Sequence, residues 1–140
     1  MRIFVVADID NGAGTLGYAS FPGTAGADDG IVMRYDAFGE VSSCGCSNLM
    51  PDYDQGKVLA HEVGHWLNLY HTFHNGCSGT SASDCDSGGD RICDTPPVAS
   101  PNYGCPGTAP NTCVETPADL NDLIDNHMDY TDDNCRNSFT

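Results

Sequence analysis

The run His61-Glu62-Val63-Gly64-His65-Trp66-Leu67-Asn68-Leu69-Tyr70-His71 decides how the rest of this chain is read. On a helix, His61 and His65 stand one turn apart on one face, so both imidazoles converge on a single metal ion. Glu62 lies beside that face, where its carboxylate reaches a metal-bound water without becoming a ligand. A metal hydrolase needs this arrangement: zinc lowers the pKa of the water and the carboxylate takes its proton. His71 supplies a third ligand if the chain turns sharply after the helix. Asn68 stands where that turn must fall, and asparagine tolerates the left-handed conformation that ends helices. The composition includes only five histidines and three glutamates, so an H-E-x-x-H pattern arises by chance in roughly 0.4% of such sequences. The third histidine makes coincidence rarer still.

Working outward, Asp52 or Asp54 is expected to cap this helix, which runs to about Asn68 with Leu59, Val63, Trp66 and Tyr70 facing the core. Residues 3–9, Ile-Phe-Val-Val-Ala-Asp-Ile, read as a buried strand, and residues 31–35 as another. A short strand or irregular segment is expected over 16–21. Past residue 71 the composition shifts to Gly, Ser, Asp, Pro, Asn, Thr and Cys, with a short helical stretch expected around 119–125. A segment this irregular needs staples, and five of the eight cysteines lie between 74 and 118.

The chain has 140 residues and a formal charge of -15, which fits one domain and disfavours nucleic acid and anionic membranes as partners. Eight cysteines with no CxxC pair point to disulfides and an oxidising compartment. The apolar stretch at Met1–Ala7 is cut short by Asp8 and Asp10, too soon for a signal peptide. The expectation is a mature domain or fragment of a secreted protein, its export signal lying outside this chain.

The long histidine motif resembles that of the metzincin zinc peptidases, with Asn68 where those carry glycine. Asn126-His127-Met128-Asp129-Tyr130-Thr131-Asp132-Asp133 looks like their Met-turn. Together with Asp94-Thr95-Pro96, these segments are similar to the pappalysin family, particularly its compact microbial members. The resemblance covers roughly residues 3–139 and is most specific over 59–73 and 126–140.

The resemblance implies an α+β fold: a twisted mixed sheet with the active-site helix above a disulfide-tied, loop-rich lower subdomain. It implies a single metallopeptidase catalytic domain over 1–140, shortened at both ends, and acting as a monomer on a peptide or protein substrate. The zinc ligands would be His61, His65 and His71, and Glu62 the general base and acid. Met128 would form the hydrophobic floor under the metal, and Tyr130 would hydrogen-bond the oxyanion or else pack in the turn. Strand 31–35 would be the sheet edge above the cleft, pairing with an extended substrate. Structural calcium is implied at Asp90 and Thr95. An EF-hand loop is excluded, since Thr95 stands at its twelfth position, and the alternative to the implied calcium is a solvated acidic loop. Cys105 is expected to pair with Cys135, and Cys113 with Cys85 or Cys77. Cys44, Cys46 and Cys93 are left without assigned partners. Asp132 and Asp133 suggest basic residues after the cleaved bond. His74 and His127 receive no ligand role. The competing reading is a non-catalytic, calcium- and disulfide-stabilised binding module, or an inactive fragment that keeps the zinc site.

Overall fold

A computed structural model describes residues 1–23, 26, 29–45 and 47–139. The chain falls into two compact units, Met1–Asn68 and Leu69–Thr140.

Among the described residues, the helices and strands all lie in the first unit. Strands β1 (Ile3–Val6), β2 (Gly17–Ala19) and β3 (Ile31–Arg34) are followed by a short helix α1 (Val41–Cys44) and the main helix α2 (Lys57–Trp66). The sheet order is β1-β3-β2, with β1 parallel and β2 antiparallel to β3. The centre of the sheet is therefore β3, and the edge beside it on one side is β2. This corrects the expectation that 31–35 forms the edge above a cleft.

Ile31 and Met33 alternate with half-buried Val32, which places their side chains on the core face. There they join Ala37 and Val58, with Leu59, Val63 and Trp66 of α2 packed against them. The strand expected over 3–9 is shorter and is not buried: Ile3, Phe4 and Val5 are 40–49% exposed. A run of β-branched and aromatic residues reports strand preference, whereas burial depends on what covers the strand, and β1 is an edge paired only to β3 in this sheet.

Helix α2 starts later than the aspartates suggest. Gly56, with φ 74°, is the residue before its first turn, and no side chain caps it. Asp54 is used differently: its carbonyl accepts the Val41 N–H at 2.9 Å. At the other end Leu67 donates to the carbonyls of Val63 and Gly64, and Asn68 turns the chain at φ 78°.

The second unit has no helix or strand of its own among the described residues, only the isolated bridges Ser81–Thr116 and Asn126–Ser138. The expected helix over 119–125 does not form. The Asp122 N–H donates to the Pro110 carbonyl, and its buried carboxylate accepts from Thr112 and Asn102. Those loop partners displace helical bonds.

Among the described residues of this unit, the buried apolar side chains are Val98, Cys113, Met128 and the prolines Pro96 and Pro97, against ten buried polar or charged ones. Disulfides compensate for so small a core: Cys77–Cys113, Cys85–Cys93 and Cys105–Cys135. Cys113 thus takes Cys77, while Cys85 closes a short loop with Cys93. Cys46 lies outside the described residues.

Candidate metal centre

Helix α2 carries His61 and Glu62, each 5% exposed, and His65, 8% exposed. The four-residue step stacks the two histidines on one face, their rings 4.7 Å apart and nearly perpendicular. Phe21 covers the His65 ring at 5.4 Å. Trp66, the core residue between the metal motif and the turn, sends its indole N–H to Asp29 Oδ1 at 2.9 Å.

The turn at Leu67 and Asn68 carries the chain on to His71, so three histidines of one eleven-residue run offer ligand atoms within 4.8 Å of one another. Among the described residues this is the only such group of His, Cys, Asp or Glu. Three imidazole nitrogens form the donor set that zinc takes at about 2.0–2.1 Å per bond. Cationic imidazoles clustered this tightly would repel one another, so the chemistry of the set fits a bound divalent ion.

In the second unit His71 stacks on Phe73 at 4.6 Å and meets the Tyr130 ring edge-on at 4.9 Å. Tyr130 also touches Phe73 and Tyr103 and is 36% exposed. Met128 is 2% exposed, and its carbonyl accepts the Thr72 N–H at 3.2 Å. The backbone just after His71 is therefore tied directly to the Met128 turn.

A polar network that the sequence pattern does not reveal holds this turn in place. Asp129 is fully buried; its carboxylate accepts the Asn102 N–H at 3.0 Å, Asn102 Nδ2 at 2.8 Å and the Tyr130 N–H at 2.8 Å. Burial raises the Asp129 carboxyl above its ordinary value, and the Asn102 bonds partly offset this. Asn102 has no motif around it, so only the folded loop brings it to Asp129.

The remaining sequence candidates are more dispersed. His74 stacks on Tyr70 at 4.4 Å and His127 lies against Phe139 at 4.9 Å; neither joins the histidine cluster. Of the acidic run, Asp84, Asp86 and Asp94 are exposed and Asp90 alone is buried. Asp84 is occupied by Ser81, which donates both its backbone N–H and its hydroxyl. Burial pushes the Asp90 carboxyl up to about 6, while the bond from the Ile92 N–H at 3.0 Å pulls it down. Thr95 is itself 5% exposed. Asp133 is fully buried and ion-paired with Arg136, which corrects the picture of Asp132 and Asp133 as a paired acidic patch.

This fold and histidine cluster belong to the zinc metallopeptidase class, and comparison with known proteins narrows the class to a family. The profile of Peptidase_M43, described as pregnancy-associated plasma protein-A, matches residues 1–140, and the chain belongs to that family. It is 39% identical over its whole length to extracellular metalloprotease 1 of Coccidioides posadasii, covering 45% of that protein. It is 37% identical, again over its whole length, to an extracellular metalloprotease of Colletotrichum graminicola, also covering 45% of it. Among solved structures it resembles mature mirolysin of Tannerella forsythia in complex with a cleaved peptide. The TM-score is 0.76 and the identity 36%, over 99% of this chain and 47% of mirolysin. The chain thus spans about half the length of the relatives it matches. The likeness to mirolysin establishes the metzincin-type α+β fold.

Proposed function

We propose that this chain carries the catalytic centre of an extracellular zinc endopeptidase, with His61, His65 and His71 holding the metal. The observation that carries this reading is the convergence of the three histidine ligand atoms within 4.8 Å, with the buried Glu62 next to His61 in sequence. When bound, zinc supplies a Lewis acid that acidifies a water and polarises the scissile carbonyl. Glu62 would accept a proton from the attacking water and return it to the leaving amine. Its burial strengthens this exchange by excluding competing solvent. Tyr130, at the edge of the His71 ring, donates its phenol to the developing oxyanion. Met128 packs as an inert floor, held by Thr72.

Residues 1–140 belong to one catalytic domain in this reading, because a single continuous run, 61–71, carries all three ligands. The substrate is a peptide or unfolded protein segment, and the enzyme acts as a monomer. Calcium binds at Asp90 and Thr95, where a cation would hold the buried carboxylate ionised. The -15 charge opposes nucleic acid and anionic membranes as partners. No helix among the described residues is long and apolar enough to cross a membrane.

Stripping the protein of metal with a chelator and restoring it with zinc tests the assignment. Cleavage of an unstructured protein should vanish and return, with one zinc bound per chain. One zinc bound without cleavage, calcium present, would leave a binding module as the better description.

A further inference from the structure

We propose that Gly17 is a positioning residue for the Glu62 carboxylate: the missing side chain at this point of β2 lets Glu62 hold its place on α2. The inference rests on Glu62 as the proton acceptor and extends that role to a residue on a different element.

A glycine inside a strand weakens it, since the unfolded chain gains freedom and no side chain packs. Gly17 is half-buried and pairs with Met33 across β2 and β3. Its φ lies outside the left-handed region, unlike eleven other glycines, so the backbone does not demand glycine here. Space does. A Cβ at Gly17 would stand 2.9 Å from Met33 Sδ, 3.0 Å from Glu62 Cγ and 3.2 Å from Glu62 Oε1. Carbon contacts settle at about 3.5–4.0 Å, so both neighbours would have to give way. Neither has open room, with Met33 fully buried and Glu62 5% exposed. By contrast, Gly12, Gly14 and Gly23 face open space.

Glu62 Cγ and Oε1 both border the space a Gly17 side chain would fill, so an added methyl pushes the carboxylate group aside. A displacement of about 1 Å at a catalytic group costs on the order of a hundredfold in rate. Gly17 therefore sets where the proton-accepting oxygen stands, without touching substrate itself.

The test is Gly17→Ala in the zinc-loaded protein. The expected result is a fall in kcat of about ten- to a hundredfold, with KM changed by less than about twofold and one zinc retained. Met33→Ala alone and combined with Gly17→Ala separates the two clashes. The kcat loss should persist when Met33 is already truncated; its disappearance would place the effect in the core and overturn the inference. A readout independent of activity is the thermal unfolding of zinc-free protein. The drop in Tm caused by Gly17→Ala should shrink in a Glu62→Ala background, and an unchanged drop would contradict the proposal. If Gly17→Ala alone does not fold, adding Glu62→Ala should restore folding, and failure to do so overturns it as well. Glu62→Ala separates this inference from its premise. Full activity in that variant removes the proton-acceptor role, whereas its inactivity beside wild-type kcat in Gly17→Ala removes only the positioning role.

Discussion

Replacing Asn102 with alanine should cost the second unit more stability than its small size suggests. Asn102 sits between two carboxylates that water hardly reaches, Asp129 at 0% and Asp122 at 2% exposure. Its Nδ2 donates to Asp129 Oδ2 at 2.8 Å and to Asp122 Oδ2 at 3.3 Å, and alanine removes both bonds while leaving the backbone bond to Asp129. Hydrogen bonds to charged groups contribute about 1.5–3 kcal/mol each, so the loss should be about 3–5 kcal/mol. The two like charges also lose the amide between them. The cost should depend on pH with a definite sign. Burial holds the folded Asp129 carboxyl above its ordinary 3.8, Asn102 lowers it, and Asp122 raises it. A carboxyl raised on folding is neutral in both states at low pH and penalises folding as pH rises through its folded value. Without Asn102 that value rises further, so the variant's deficit grows from acid pH, where the carboxyl is protonated in both states, to neutral pH. Denaturant unfolding of both proteins at acid and neutral pH, disulfides intact, measures this. A deficit below about 1 kcal/mol at neutral pH, or one that grows toward acid, would refute the network's role.

Calcium should stabilise the protein increasingly as pH rises through about 6. Without it the buried Asp90 pays for ionisation, worth about 3 kcal/mol for its shift, and Tm measured with and without a calcium chelator reads the difference. Tyr130→Phe should lower kcat by about a hundredfold while leaving KM and zinc content unchanged, as steady-state kinetics will show. Removing the Cys105–Cys135 disulfide, which spans 30 residues, by double serine substitution should cost about 3–4 kcal/mol in urea unfolding.

How far the sequence could be read depended on the range of the interactions involved. The metal motif was legible because its information is local: a four-residue step on a helix and an asparagine at the turn fix the spacing of His61, His65 and His71. Strands β1 and β3 were likewise visible in their β-branched and aromatic runs, whereas Gly-Tyr-Ala of β2 carries no such run and left 16–21 open between strand and irregular segment. Exposure of Ile3, Phe4 and Val5 was not visible, because strand preference does not say which side of a sheet a strand occupies. Asp52 and Asp54 look like helix caps, but the carbonyl of Asp54 serves Val41 and the helix starts after Gly56. Residues 119–125 carry enough helix-compatible side chains to suggest a turn of helix. Burying Asp122 against Thr112 and Asn102 makes the loop the better solution. Cys85 and Cys93 lie eight residues apart, yet their pairing, like the reach of Asn102 to Asp129, depends on a loop path with no periodic signal. The space reserved at Gly17 for Glu62 belongs to the same category.

Cleavage of an unstructured protein by the zinc-loaded protein, measured beside zinc-loaded Glu62→Ala, tests the peptidase assignment most directly. A general base contributes about 10²–10⁴-fold, so the variant should keep one zinc per chain and lose at least about a hundredfold in kcat. Equal cleavage by both forms, at equal zinc content, would contradict the role of Glu62 and with it the proposed chemistry of the site.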